Sequence, residues 1–405
     1  MIRRRQVFYV PGYDPRGVAP YYRLFRSELR RHAEMRGLRA ATGRLEKPPD
    51  DAPWLRRWRA TRAAPAATVE AIVDFCGWDD LIEDEARLGL VQSVWRSWRA
   101  AAAIIANRMI GRIGRLSRRS LMFMVYPHDA VALYLLTMAA MIGEGLAYGA
   151  LLGPLGAVGG GLVGIFAAAR FYRLTRRADA RLYIWHLAVH WDFLRRQGQT
   201  GVPELAERSR AIAARIKAAI DDPAIDEVVV VGHSHGCYVT IGIVARVLEM
   251  TPALGRDRPG IALLNLGTAL PSAAYFGPSE QFRRDLAAVI TSPLVTWYEA
   301  SAHHDILSAR SAYVTDFGID LAGRVRREPI DIPINFREVL TRETLSRLRW
   351  SFYRLHFQYL MASETGRGYD YFDLIFSPAP FVARDTAGAG ISPAGTGRVA
   401  QSGTR

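Results

Sequence analysis

The chain is poor in cysteine and in lysine: among 405 residues the only cysteines are Cys76 and Cys237, and the only lysines Lys47 and Lys217. Two cysteines build no disulfide framework and match no zinc-ligand spacing, so a stapled secreted scaffold and a structural metal domain are both excluded as readings. A signal-peptide core is missing too. After the basic opening, only Val7-Phe-Tyr-Val10 runs apolar before Pro11, which is too short for an h-region. The N-terminus is therefore expected in the cytoplasm, a reducing compartment. Positive charge is carried almost wholly by arginine, with a formal net charge of +14. Such an excess attracts polyanions, either nucleic acid or an anionic membrane face, although an Arg-rich coding bias produces the same preference for Arg over Lys.

Charge is also missing from one long stretch. Between Ala130 and Ala169, Glu144 is the only charged side chain in 40 residues. At helical rise this stretch extends about 60 Å, twice the hydrocarbon thickness of a bilayer, which predicts two spans. Gly153-Pro154 supplies the break, giving legs at 130–152 and 155–172. Gly145, Gly149 and Gly153 recur every fourth residue on one leg, and Gly156, Gly160 and Gly164 on the other. That small-residue spacing lets two helix backbones approach closely in lipid. Arg108, Arg112, Arg115, Arg118 and Arg119 precede the hairpin, and Arg170, Arg173, Arg176, Arg177 and Arg181 follow it. By the positive-inside rule both termini are expected in the cytoplasm, with the protein in the inner membrane. A buried hairpin in a soluble protein is the competing reading. Glu144 is expected to face the partner helix or a polar cavity. Leu88 to Met109 mixes Trp95, Trp98, Ile104 and Ile105 with Arg96, Arg99 and Arg108. It reads either as an amphipathic helix lying in the headgroup region or as an ordinary surface helix.

Outside the hairpin, short apolar strands at 6–10, 68–75, 228–231, 261–266, 294–298 and 330–332 alternate with helical patterns at 21–36, 205–220, 238–248 and 280–290. Alternation of this kind predicts an α/β fold with a mostly parallel sheet covered by helices. The sharpest local signal is Val228-Val-Val-Val-Gly-His-Ser-His-Gly-Cys237, a buried strand ending in Gly232-x-Ser234-x-Gly236 and followed by a helix. Glycines on either side of the serine leave room for a tight strand-to-helix turn that exposes its Oγ. Strand before and helix after are what make the motif specific.

In this segment the sequence resembles the α/β-hydrolase superfamily, of lipase and esterase type, over residues 6–37, 68–80 and 226–360. The resemblance implies Ser234 as nucleophile. Val7-Phe-Tyr-Val-Pro-Gly-Tyr13 looks like the strand and loop that form half of that family's oxyanion hole, which implies the backbone N–H groups of Tyr13 and His235 as donors. The family's chain order of serine, acid, histidine places the acid at Asp305, with Glu299, Asp316 and Asp320 as rivals. It leaves His356 as base, because His303 and His304 precede the acid. Gly12 and His233 are expected to line the substrate site; His233 and His235 lie too close to Ser234 in sequence to serve as its base. Gly77-Trp-Asp-Asp80 has no assigned chemistry beyond capping a helix.

The expected organisation is 1–80 and 205–383 as one hydrolase domain, 81–204 as the insertion carrying the hairpin, and 384–405 as a disordered tail. The expected function is a membrane-anchored serine hydrolase acting on an ester or thioester of lipid-like substrates, with no cofactor, no metal and no nucleic-acid partner. An acyltransferase on the same three residues, or a catalytically silent membrane scaffold, are the alternatives.

Overall fold

The computed structural model describes residues 1–65, 67–251, 260–277, 279–308, 317–327, 329–348 and 351–381. Asp316 and the expected disordered tail at 384–405 lie outside the described residues. The chain forms two units: Met1–Ile82, Val202–Ala274 and Pro278–Arg405 make the first, and Glu83–Gly201 with Tyr275–Gly277 the second.

The first unit is α/β. Its strands are β1 (Arg4–Val10), β2 (Arg39–Thr42), β3 (Leu55–Ala64), β4 (Ala67–Cys76), β5 (Glu227–His233), β6 (Ile261–Leu266), β7 (Val295–Ala302) and β8 (Ile330–Ile334). They form one eight-stranded sheet in the order β2-β3-β4-β1-β5-β6-β7-β8. From β4 to β8 every neighbouring pair is parallel, whereas β2 and β3 add an antiparallel edge. Strands covered on both faces read as continuous apolar runs, and β5 is buried along its whole length.

Side chains alternate between the faces. Val7, Tyr9, Val229, Val231, Ala262 and Leu264 share one core with Tyr21, Phe25 and Leu29 of the helix Val18–Arg36 and with Phe372 and Phe376 near the C-terminal end of the unit. Phe8, Val228, Val230 and Leu263, of opposite parity, are equally buried. Helix Gly236–Met250 packs beside Pro203–Asp221 and Glu280–Thr291, and Tyr238 stacks on Phe282 at 4.3 Å between ring centroids.

The sheet is mostly parallel as expected, but the edge strands β2 and β3 are not among the expected strands. Leu55–Ala64 reads LRRWRATRAA, whose arginines hide the strand; only Leu55, Trp58, Ala60 and Arg62 turn inward. There Arg62 donates from its terminal nitrogens to Asp373 and to the Phe376 carbonyl, the latter at 2.7 Å.

The N-terminal ends of β1 and β5 are locked by a buried ion pair. The Arg5 guanidinium lies 2.6 Å from the Glu227 carboxylate, with both side chains at most 1% exposed. Arg5 also donates to the carbonyls of Leu374, Ile375, Ser377 and Ala379, and Glu227 accepts from the Phe381 N–H at 2.6 Å. Every charge-bearing atom has a partner, which is the condition under which a buried pair is tolerated.

The second unit is helical: Leu90–Ala106, Met109–Leu116, Arg118–Ala150, Pro154–Leu182 and Ile184–Gln199. The two apolar helices are longer than the expected legs, because each continues into its arginine-bearing flank. Both are long and apolar enough to cross a membrane. Between them Gly153 adopts φ 92°, a conformation that favours glycine, and Pro154 starts the second helix where a missing N–H costs nothing. The glycines face one another: a Cβ at Gly145 would overlap the Gly160 carbonyl oxygen, and one at Gly149 that of Gly156. Asp179 caps the last helix, accepting from the N–H groups of Trp185 (2.7 Å) and His186 (3.1 Å).

Arg5→Met should lower the stability of the first unit by about 3–5 kcal/mol, because Glu227 is left charged, buried and unpaired. Equilibrium chemical unfolding measures this, and the double variant Arg5→Met/Glu227→Leu should recover much of the loss.

Candidate active site

The strands run outward from the centre of the sheet in two directions: β1 leads to β4 on one side, while β5 to β8 follow on the other. A parallel sheet with such a reversal opens a crevice at the carboxyl ends of the strands where the direction changes. Here the two strands at that reversal, β1 and β5, end at Val10 and His233, where Pro11-Gly12 and Ser234 follow.

Ser234 has φ 58°, in the left-handed region where a non-glycine residue is strained. It ends β5 and leads through His235 into the 15-residue helix Gly236–Met250. Three contacts make the turn this tight. A Cβ at Gly236 would overlap the Val10 carbonyl oxygen. One at Gly232 would lie 2.8 Å from Asn265 Oδ1 and 2.9 Å from Cys237 Cα, and one at Gly12 would come 3.0 Å from Ser234 Cβ. The Ser234 N–H donates to the Leu266 carbonyl at 3.0 Å, and its carbonyl accepts from the Ala269 N–H at 3.2 Å, which ties the turn to the end of β6.

His356 and Asp305 meet as the chain order implies. Asp305 lies three residues beyond β7, and its Oδ2 is 2.7 Å from His356 Nδ1. Both residues are buried. Asp305 Oδ1 also accepts from the Leu307 N–H at 3.0 Å. The pairing fixes the proton on Nδ1 and turns Nε2 into an acceptor, and Nε2 is buried without a hydrogen-bond partner. A buried unsatisfied acceptor is costly, so it asks for an explanation. Its ring flanks the turn that holds the serine, since a Cβ on Gly267, next to Leu266, would lie 2.8 Å from His356 Cε1. Ser234 Oγ is not hydrogen-bonded to Nε2.

Of the rival acids, Asp320 is exposed and caps the Ala322 N–H at 2.8 Å, while Glu299 is buried within β7. His303 is exposed. Gly12 and Tyr13 lie beside the serine turn, with the Tyr13 ring stacked over His235 at 6.4 Å.

His233 is not at an open substrate surface. It is buried, its ring centroid 4.8 Å from that of His356, and its Nε2–H donates to the His356 carbonyl at 3.3 Å. Burial above all, and next the proximity of the His356 imidazole, pushes its imidazole well below the ordinary range, and burial alone pushes His235 down to about 3. Both are neutral supports at physiological pH.

Trp78, unassigned from the sequence, is the residue that holds the Pro11–Tyr13 loop. Its buried indole N–H donates to the Pro11 carbonyl at 2.9 Å, and its ring meets those of Tyr13 and His235 edge-on at 6.1 and 5.4 Å. The Gly-Trp spacing directly after β4 was the available signal. Asp79 flanks a hollow of about 280 Å³ with Trp54, Arg56 and Phe75, and Asp80 pairs with Arg208 at 2.7 Å; neither Ser234 nor His356 lines that hollow.

The chain matches no protein-family model, no curated protein and no solved structure.

Gly236→Ala should destabilise the first unit by about 1–3 kcal/mol or more, because the added methyl meets backbone that cannot rotate away. Gly89→Ala, where nothing lies within 4 Å, should not. Trp78→Phe should cost about 1–3 kcal/mol by orphaning the buried Pro11 carbonyl. Thermal unfolding reads all three.

Proposed function

We propose that the protein is a membrane-anchored serine hydrolase of α/β-hydrolase type that cleaves an ester or thioester of a lipid-like substrate. The observation that carries this reading is Ser234 held at φ 58° on a strand-to-helix turn beside a buried His356–Asp305 pair with an unpartnered Nε2. Strain at a single buried turn is expensive, and it recurs where a side chain must be presented for chemistry.

In the proposed reaction, Ser234 Oγ attacks the acyl carbon as its proton passes to His356 Nε2. Asp305 stabilises the imidazolium that forms. The amides of Tyr13 and His235 stabilise the developing oxyanion, assisted by the positive end of the helix Gly236–Met250. The tetrahedral species then collapses: the leaving alcohol or thiol takes the proton from Nε2, leaving an acyl-serine. Water, deprotonated by the same histidine, releases the acid and restores Ser234.

The anchor in this reading is the apolar helical pair. Leu151, Leu152 and Leu155 at its tip are 80–89% exposed, and Leu133, Leu136, Leu162 and Phe166 along it are 61–69% exposed. Water disfavours such a surface, and hydrocarbon does not. With the site and the anchor on one chain, membrane-borne acyl compounds are met at high effective concentration.

A fluorophosphonate probe should label the protein in isolated membranes, and Ser234→Ala should abolish labelling and ester turnover without loss of expression. His356→Ala should cost nearly as much, because the groups act as a unit. Asp305→Asn should be severe but smaller. An active His356→Ala variant would overturn the mechanism. Carbonate extraction should leave the protein in the membrane fraction; its release would overturn the anchor.

A further inference from the structure

We infer that residues 87–122, centred on the helix Leu90–Ala106, form a surface that enters the headgroup layer of an anionic lipid bilayer. The inference rests on the membrane reading of the apolar helices and adds to it a second contact of different depth and chemistry.

The helix Leu90–Ala106 is inside out for a helix facing water. Its buried residues are Ser93, Ser97, Ala100 and Ile104. Its exposed residues include Val91 (80%), Trp95 (61%), Trp98 (64%) and Ile105 (67%). With Ala102 these stand at i, i+4, i+7, i+11 and i+14, an arc of about 80° at 100° per residue. A surface helix packed on a protein core would turn this stripe inward. The stripe instead continues into the next turns of chain, where Ile110 and Met122 are also exposed.

Depth follows from what the buried face touches. Ser97 Oγ is 2.8 Å from His128 Nδ1, two residues before Ala130, where the uncharged stretch begins. The helix thus sits beside the end of the apolar segment, at the level where hydrocarbon gives way to headgroups, and there tryptophan is the preferred apolar residue.

Charge selects the lipid. From Ala86 to His128 there are eight arginines and no carboxylate. Arg87 pairs with Glu83, and Arg96 and Arg99 share Asp192 at 2.7 and 3.9 Å. Arg108, Arg112, Arg115, Arg118 and Arg119 form no salt bridge among the described residues. Five uncompensated guanidiniums flanking an apolar stripe fit phosphates carrying net negative charge.

The test uses the full chain carrying a solvatochromic fluorophore at one introduced cysteine, Cys76 and Cys237 both being buried. Val91→Cys and Ala102→Cys report the stripe, Gln92→Cys its polar flank, and Val163→Cys the apolar helices. The labelled proteins are reconstituted into vesicles of phosphatidylcholine with phosphatidylglycerol, or of phosphatidylcholine alone, with brominated acyl chains as quencher. Labels at 91 and 102 should shift blue and lose more fluorescence than the label at 92. Their loss should be larger in the anionic vesicles, and Arg108→Gln/Arg112→Gln/Arg115→Gln should remove that difference. Quenching at 163 with none at 91 and 102 overturns this inference and leaves the anchor standing, whereas no quenching at any position overturns both. Equal quenching in the two vesicles overturns the anionic selectivity. A blue shift at 91 and 102 without quenching shows a protein covering the stripe and overturns the lipid contact.

Discussion

The gap between the end of β1 and the start of the helix Gly236–Met250 is the constraint on which the rest of the first unit depends. It is too narrow for any side chain at Gly236, because the Val10 and Pro11 carbonyl oxygens occupy the place of a Cβ. With the helix held that close, the chain leaving β5 has one residue in which to reverse direction, and Ser234 absorbs the turn at φ 58°. The strain is tolerated because both sides are fixed: Ser234 is hydrogen-bonded into the end of β6, and Trp78 pins the Pro11 carbonyl from the other side. A relaxed serine would need the helix to move away, which would open the core of the sheet.

The two ends of the sheet treat buried polar groups in opposite ways. At the amino ends, Arg5 and Glu227 leave no atom unsatisfied, and the segment from Leu374 to Phe381 closes over them. Nearby, His32 and Asp370 lie 3.1 Å apart, and Arg36 and Arg62 both reach Asp373, although Arg62 Nε is buried without a partner. Two guanidiniums in that group already supply the positive charge a cation would bring, so it reads as an ion-pair network and not as a metal site. At the carboxyl ends, His356 Nε2 is left without a partner although Nδ1 is held firmly. Arg5 and Glu227 are fully partnered at one end, whereas at the other His356 Nε2 and its neighbour His233 Nδ1 are both buried without a partner; in the proposed reaction it is His356 Nε2, backed by Asp305, that takes the proton.

How much was legible in the sequence depended on whether the signal was local. The serine turn was readable because its steric requirement is written in the two glycines that flank it, Gly232 and Gly236, and the break at Gly153-Pro154 for the same reason. Asp305 and His356 were reachable through chain order once the nucleophile was assigned, although 51 residues separate them. The edge formed by β2 and β3 was not readable, since four arginines in β3 disguise the strand, and its one inward arginine, Arg62, bonds to residues more than three hundred positions away. The parts played by Trp78 and His233 were hidden likewise. Each supports a group distant in sequence, and nothing in the local pattern of a lone tryptophan or histidine says what it will touch.

The two units also obey different solvent rules. In the first, valine, leucine and phenylalanine are buried and arginine is paired or exposed, as water requires. In the second, the helix Ile184–Gln199 keeps that rule, but in Leu90–Ala106, Arg118–Ala150 and Pro154–Leu182 glycine, serine and alanine occupy many contact positions while most leucine, valine and phenylalanine face outward. In the membrane reading proposed above, the outward apolar surface meets hydrocarbon over the length of both helices and headgroups at their ends. Arginine suits that boundary better than lysine, as its guanidinium is more weakly hydrated, stays charged when desolvated and binds phosphate through a planar fork. A chain with two lysines in 405 residues brings that chemistry to every basic position it has at such an interface.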